Sequence, residues 1–378
     1  MRRTRRPPPS RHGQGPSVAV GPASCLRGRV RRLGPSPGSR PGTRNPPPRT
    51  IRTPGAGPPG VPDRRAAARV TGRSSSPGPV TRPNGRVDGG PTGGGRRALG
   101  GWAAVALSMG EDVITTDFVP GSPCWLDLGA PDVAATAAFY NAVLGWETES
   151  FNEAGGDFRA FKHSGRIVGG IGPLTEEGAR SAWMLYFKTT DVDATAEAVQ
   201  RLGGTVRVPP TDAGEEGRMA QFSDPLGGQF AVWQPIGDPG LQMVDDPVSL
   251  NWTELYTTDA AAAREFYGTL FGWQTSAMPL PGGVEGTYWL ITPAGLPDDR
   301  MQGGLMQLPP EHLVLTGGTP YWHPVFAVED TDAAAAAVRA NGGSLQMEPE
   351  DAPGVGRLAV CVDPNGADFV VLKPSPAA

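Results

Sequence analysis

The 378-residue chain repeats itself after residue 120, and this repeat limits its possible folds more than any other feature. Early landmarks recur 127 residues later, and later landmarks recur with shifts of 134 and then 139. The pairs are Trp125 and Trp252, Asp132 and Asp259, Phe139-Tyr140 and Phe266-Tyr267, Gly145-Trp146 and Gly272-Trp273, Gly169-Gly170 and Gly303-Gly304, Trp183 and Trp322, Asp191 and Asp330, Gly203-Gly204 and Gly342-Gly343, Asp224-Pro225 and Asp363-Pro364. Because the shift grows in steps, the second copy carries extra loop residues. We predict two duplicated domains, 121–236 and 249–373, with a linker at 237–248.

Each copy is itself built from two similar halves. A short strand at 125–128 precedes Asp132, a good N-cap, and a helix that Gly145 can end in a left-handed turn. The remaining elements of the first copy are expected as strands at 158–162, 166–171, 184–188, 205–208, 218–223 and 229–233 and a helix at 194–202. The second half shows one strand, one helix and three strands, and we predict this order for all four halves, which gives an α+β fold of four βαβββ modules.

Residues 1–108 have a composition unlike the rest of the chain. They contain 21 Arg, no Lys and only Asp63 and Asp88 as acids, a net charge of +19, together with 19 Pro and 20 Gly. Such a segment cannot bury enough apolar surface to offset the entropy lost on ordering it, so we predict that it is disordered. The remaining 270 residues carry a net charge of −23 and can bury a sizeable core.

The basic segment has three interpretations. It is a tether for nucleic acid or another anionic surface, a solvated linker without a partner, or a stretch translated upstream of a true start at Met109. We favour the third as a hypothesis, because biased tails seldom lack Lys entirely. The negative charge of the folded part argues against nucleic-acid binding there.

The sequence also bears on localisation. No run of about 18 apolar residues occurs, and the N-terminus lacks the apolar stretch of a secretory signal. Cys25, Cys124 and Cys361 are odd in number and show no metal-binding spacing. We therefore predict a cytoplasmic protein with free thiols and no membrane partner.

In both copies, the order of the motifs resembles the vicinal oxygen chelate superfamily, which includes glyoxalase I, the bleomycin-resistance proteins and the extradiol dioxygenases. The first copy carries Asp132-Val133-x5-Phe139-Tyr140-x3-Leu144-Gly145-Trp146, then Gly203-Gly204 and Asp224-Pro225-x-Gly227. The second copy carries Asp259-x6-Phe266-Tyr267-x3-Phe271-Gly272-Trp273, then Gly342-Gly343 and Asp363-Pro364-Asn365-Gly366. The resemblance covers nearly all of 121–373 and none of the first 108 residues. It implies two tandem glyoxalase-like domains, in which paired modules curl around a cup that holds a ligand or metal.

The same resemblance has a consequence for metal binding. Catalytic members place His or Gln on the first strand of a module and Glu on its last strand. Here the first position falls on Trp125 and Trp252, and the last falls on or beside Ala231 and Val370. Indole and alkyl groups offer no lone pair to a metal, so we expect the usual metal site to be absent from both domains.

Two acidic residues are candidates for chemistry in the cups. Asp127 and Glu254 each lie two residues after a Trp expected to face the cup, so strand alternation places them on the same inner face. Each carboxylate can bind a cationic ligand or act as a base. Alternatively, each caps a helix or pairs with a nearby base.

A histidine and two tryptophans complete the candidate set. His323 begins a strand beside the position of a second-module ligand, and it is a residual ligand, a general base or an ordinary hydrogen-bonded residue. Trp125 and Trp252 can stack a flat ligand or fill the core. No catalytic residue is assigned.

We therefore expect a protein that binds a small organic molecule in one or both cups without a cofactor or metal. The ligand-binding candidates are Trp125, Asp127, Trp252, Glu254 and His323. Two enzyme classes compete with this: a metal-dependent lyase, isomerase or dioxygenase with relocated ligands, and a metal-free proton-transfer enzyme using Asp127 or Glu254. The third alternative is a non-catalytic scaffold whose cups are plugged by Trp. The chain is either a monomer, in which duplication replaces a dimer, or a homodimer.

Overall fold

Each copy of the repeat folds into one mixed eight-stranded sheet with two helices. The computed structural model describes residues 113–151, 157–174, 178–280 and 285–375. The hypotheses about disorder at 1–108 and a start at Met109 concern residues outside these ranges. The predicted α+β fold with four βαβββ modules is confirmed.

In the first sheet, called sheet 1, the two central strands are antiparallel to each other, and each of them is parallel to its other neighbour. Its strands are β1 (Pro123–Ala130), β2 (Glu147–Ser150), β3 (Arg159–His163), β4 (Arg166–Pro173), β5 (Ala182–Lys188), β6 (Thr205–Asp212), β7 (Gly217–Ser223) and β8 (Gln229–Pro235). Helix α1 (Val133–Leu144) follows β1, and helix α2 (Val192–Arg201) follows β5. The spatial order is β2-β3-β4-β1-β5-β8-β7-β6, with β1 antiparallel to β5 at the centre.

The second sheet, sheet 2, has the same order. Its strands are β9 (Leu250–Thr257), β10 (Gln274–Pro279), β11 (Thr287–Thr292), β12 (Gly303–Gln307), β13 (Tyr321–Ala327), β14 (Ser344–Ala352), β15 (Gly356–Val362) and β16 (Asp368–Pro374). Helix α3 (Ala260–Phe271) follows β9, and helix α4 (Thr331–Ala340) follows β13. The order is β10-β11-β12-β9-β13-β16-β15-β14, with β9 antiparallel to β13 at the centre.

The helix boundaries follow from capping residues visible in the sequence. The four N-caps accept hydrogen bonds from first-turn backbone N–H groups; they are Asp132, Asp191, Asp259 and Asp330. Gly145 and Gly272 end α1 and α3 with φ of 69° and 71°, the left-handed conformation that glycine adopts without a steric cost. The pattern did not locate the edge strands β2 and β10, whose residues are largely exposed.

The two faces of each sheet have different roles. On β1, Trp125 and Asp127 point to one face, and the alternate residues point to the helices. We call the Asp127 face of sheet 1 cup 1 and the Glu254 face of sheet 2 cup 2. The opposite faces carry the helices and meet each other, so that the two cups lie on separate sides of a shared core.

Aromatic rings from both domains fill this shared core. Phe326 of the second domain lies 5.0 Å from Trp146 and 5.5 Å from Trp183, measured between ring centroids. Phe187 of the first domain lies 5.2 Å from Trp322. Trp183 and Trp322 therefore pack between the domains, away from the cups. Among the described residues, no helix is both long and apolar enough to span a membrane.

Candidate functional site

The carboxylate of Asp127 lies in cup 1. The indole Nε1 of Trp125 donates to Asp127 Oδ1 at 2.8 Å, and the hydroxyl of Tyr186 is a second donor to this carboxylate. Gln221 Nε2 in turn donates to the Tyr186 hydroxyl at 3.4 Å. Only 7% of Asp127 is exposed. Burial raises its pKa to about 6, because both hydrogen bonds only partly offset the loss of water around the charge.

A glycine makes room for this carboxylate. Gly170 of β4 pairs with Asp127 in the parallel β1–β4 register. A Cβ atom at Gly170 would collide with Asp127 Oδ1 and come within 3.3 Å of the Trp125 ring. The repeated Gly-Gly motif therefore shapes the wall of the cup.

Cup 2 contains a histidine between two carboxylates. His323 Nε2 lies 3.0 Å from Glu254 Oε2, and His323 Nδ1 lies 2.8 Å from Asp368 Oδ2. These residues come from β13, β9 and β16, the three central strands of sheet 2. His323 is fully buried, and Glu254 and Asp368 are 7% and 2% exposed.

Two tyrosines complete the hydrogen bonding of Glu254. Tyr288 donates to Glu254 Oε1 at 2.7 Å, and Tyr256 donates to Oε2 at 3.4 Å. Trp252 Nε1 donates to the Tyr288 hydroxyl at 2.9 Å. Gly304 repeats the role of its counterpart in cup 1, since a Cβ atom there would collide with the Tyr288 ring.

This network makes His323 a cation at neutral pH. Burial by itself lowers the pKa of His323, but its hydrogen bonds to Asp368 and Glu254, and their charges, raise it to about 9. Glu254 therefore faces a positive charge, a pairing that was one of its predicted alternatives. Within the described ranges, Asp127 has no such basic partner, and neither acid caps a helix.

Sequence reasoning missed Asp368, Tyr256 and Tyr288. Asp368 lies two residues before Val370 on β16, so strand alternation alone places both on the same face. Tyr256 likewise lies two residues after Glu254 on β9. Strand alternation could have identified these residues as cup residues. Their contacts could not be predicted in this way, because they depend on pairing between distant strands.

The donors in the cups do not fit the divalent metal that the fold family implies. Both nitrogens of His323 are bonded to carboxylates, and because they point in opposite directions, Glu254 and Asp368 do not converge on one point. Val370 aligns with Val325 in the β13–β16 register and offers no ligand atom. In the described part of the chain, no group of three or more His, Cys, Asp or Glu residues is arranged to hold a metal ion.

Comparisons with known proteins find several similar chains. The chain is 36% identical over 274 residues to the anthracycline biosynthesis protein DnrV of Streptomyces peucetius, an alignment covering 68% of this chain and 95% of that protein. It is 35% identical over 266 residues to the "Putative glyoxylase CFP32" of Mycobacterium tuberculosis (strain CDC 1551 / Oshkosh), covering 69% of this chain and 98% of that one. The crystal structure of the 2,3-dioxygenase LapB from Pseudomonas sp. KL28 aligns with a TM-score of 0.47 and 15% identity over 68% of this chain and 96% of that chain.

A family model matches both domains, at residues 124–232 and 249–371. These two segments contain both cups and the core between them. The chain belongs to the Glyoxalase/Bleomycin resistance protein/Dioxygenase superfamily.

Proposed function

We propose that cup 1 binds a small organic molecule that presents a hydrogen-bond donor or a positive charge to Asp127, without a divalent metal. The observation that carries this proposal is a buried carboxyl group with a pKa of about 6 and no basic partner among the described residues. A buried carboxylate without a counter-charge costs free energy, which a cationic or donor group of a ligand recovers. The Trp125 indole beside it supplies a flat apolar surface.

Cup 2 is less suited to such a ligand. Glu254 already accepts hydrogen bonds from His323, Tyr288 and Tyr256, so that a ligand has to displace one of these donors. The His323 charge also compensates that of Glu254. We infer that this network has a structural role in the second domain.

Two kinds of relative suggest probes. The curated relatives include anthracycline biosynthesis proteins and proteins named as putative glyoxylases. We therefore infer a ligand with a planar ring system and an amine or phenol, which would stack on Trp125 and donate to Asp127. Daunorubicin, an anthracycline with an amino group, is a suitable probe.

The test is a calorimetric titration of the purified chain with daunorubicin at pH 7. We expect Asp127→Asn to weaken binding by at least about tenfold, since a charged hydrogen bond is worth roughly 1.5–3 kcal/mol. Glu254→Gln is the matched control in cup 2 and should change the affinity by less than about twofold. Unchanged binding by Asp127→Asn, or a larger loss with Glu254→Gln, would contradict the assignment to cup 1.

A metal-free proton-transfer enzyme is the second candidate. A carboxyl group with a pKa of about 6 is well matched to proton transfer near neutral pH. The test follows exchange of the C–H protons of hydroxyacetone into deuterated water by NMR. Exchange catalysed by the wild-type chain and abolished in Asp127→Asn would favour this candidate, and equal exchange in both would exclude Asp127 as the base.

A further inference from the structure

A tyrosine and a glutamine extend the hydrogen bonding of Asp127 across cup 1. Tyr186 of β5 lies beside Trp125 of β1, and both Tyr186 and Gln221 of β7 lie beside Ala231 of β8. The two side chains are almost completely buried, with exposed fractions of 2% and 1%. Gln221 Nε2 donates to the Tyr186 hydroxyl at 3.4 Å, and that hydroxyl donates to the carboxylate. Because Gln221 donates to the Tyr186 oxygen, the hydroxyl proton turns away from Gln221 and towards Asp127.

The corresponding positions in cup 2 are valines. With the shift of 139 that relates the later motifs, Tyr186 and Gln221 correspond to Val325 and Val360. The strand registers agree, since both valines lie beside Val370 of β16. The polar pair therefore accompanies only the cup carboxylate that has no basic partner in the described ranges.

Neither donor to Asp127 carries a charge. The Trp125 indole and the Tyr186 hydroxyl satisfy hydrogen bonds of the carboxylate but do not balance its negative charge. Most basic side chains on the surrounding strands bond to other groups; these pairs are Lys162 with Glu149, Arg166 with Asp246, Lys188 with the carbonyl oxygen of Phe118, Arg207 with Gln229, and Arg218 with Asp193 and Asp212. Arg159 and His163 lie on β3, two strands away from β1. Within the described ranges, Asp127 therefore lacks a counter-charge rather than a hydrogen bond.

We propose that Gln221 and Tyr186 are positioning residues that keep Asp127 ionised in cup 1, so that the cup takes an organic cation rather than a neutral hydrogen-bond donor. A hydrogen bond donated to a carboxylate favours its ionised form. A cation adds the counter-charge that this buried carboxylate lacks, whereas a neutral donor does not. The ligand class rests on the function proposed for cup 1, but the role of the pair does not.

The pair is tested without a ligand, by following the Asp127 carboxyl carbon of the full chain with carbon-13 NMR between pH 4 and pH 9. Its signal is the one that Asp127→Asn removes. We expect Tyr186→Phe to raise the pKa of Asp127 by about 0.5 pH unit or more, because it removes a donor to the ionised form. Gln221→Leu should raise it less, and the double variant should match Tyr186→Phe, since Gln221 acts through Tyr186. Tyr256→Phe removes a hydroxyl donor in cup 2 and is the matched control, which should leave the pKa of Asp127 unchanged.

Two results would overturn the role of the pair. One is an unchanged pKa of Asp127 in Tyr186→Phe, and the other is a strictly additive effect of the two changes in the double variant. If Tyr186→Phe fails to fold, Gln221→Leu decides: a raised pKa supports the pair, and an unchanged pKa contradicts it.

The ligand class is tested by calorimetric titration with daunorubicin and with its N-acetyl derivative, whose amine is a neutral amide. At pH 7 we expect the protonated amine to bind at least about tenfold more tightly, and Asp127→Asn should abolish this preference. Equal affinities for the wild-type chain would overturn the cation and leave the function proposed for cup 1 standing. Failure of both compounds to bind would contradict that function and the cation with it, while the NMR titration would still decide the role of the pair.

Discussion

The Tyr267 hydroxyl of the second domain donates a hydrogen bond of 3.0 Å to Asp224 Oδ2 of the first domain. The same hydroxyl accepts a hydrogen bond from Trp322 Nε1, also at 3.0 Å. Tyr267 belongs to the repeated Phe-Tyr motif and lies on α3, and Asp224 belongs to the repeated Asp-Pro motif and lies in the turn between β7 and β8. Their polar atoms additionally join the two domains through a buried contact, which makes the duplication a single structural unit.

This contact predicts energetic coupling between the domains. Burial raises the pKa of Asp224 to about 6, and Tyr267 is one of the donors that oppose this rise. We expect Tyr267→Phe to lower the free energy of unfolding at pH 7 by about 1–3 kcal/mol, because it removes a donor to a buried carboxylate. Urea unfolding of Tyr267→Phe, Asp224→Asn and the double variant measures the coupling. Strictly additive effects would show that the hydrogen bond contributes nothing.

The cup 2 network predicts a loss of stability at high pH. The pKa of His323 is about 9 in the folded chain and about 6.5 when unfolded, so its contribution is complete below about pH 6.5 and disappears as the pH rises through 9. The shift corresponds to something on the order of 3 kcal/mol. The melting temperature of the wild-type chain should therefore fall more between pH 7 and pH 10 than that of His323→Gln. His163→Gln is the control, and its profile should parallel the wild type.

Replacing either cup glycine, Gly170 or Gly304, with alanine is expected to cause a steric clash. Gly170→Ala and Gly304→Ala would place a Cβ atom against the Asp127 carboxylate and the Tyr288 ring, so each should destabilise the fold by about 1–3 kcal/mol. Gly268→Ala is the matched control, because Gly268 lies within α3 and a Cβ there meets its nearest atom at 3.5 Å. That change should raise stability by up to about 1 kcal/mol. Chemical denaturation measures all three, and equal effects would contradict the steric argument.

Binding of a cationic probe to cup 1 should become tighter as the pH rises from 5 to 7. Since Asp127 has a pKa of about 6, its ionised fraction rises about tenfold between pH 5 and pH 7. Daunorubicin affinity should rise by about the same factor over that range, and the rise should vanish in Asp127→Asn. Calorimetric titrations at four pH values measure this, and a flat wild-type profile would show that the charge of Asp127 does not contact the probe.

The amino-acid sequence by itself determined the repeat, the fold class and the N-caps of the four helices. These features depend on local spacing: a capping Asp binds N–H groups two or three residues away, and strand alternation places Asp127 beside Trp125 on one face. The positions of the candidate residues in the two cups followed from the same rules. The boundaries of the domains and the place of the ligand stay predictions.

Only the tertiary structure decided which of the two buried carboxylates has a basic partner and which has none. His323 contacts Glu254, 69 residues earlier, and Asp368, 45 residues later, because β13 lies between β9 and β16 in sheet 2. At the corresponding place in sheet 1, Met184 lies opposite Asp127, and the acid remains without a basic partner there. By local sequence pattern, Asp127 and Glu254 are equivalent. Their hydrogen-bond partners differ because those partners come from strands that are distant in sequence and adjacent in the sheet. This pairing of distant strands makes the two cups chemically different.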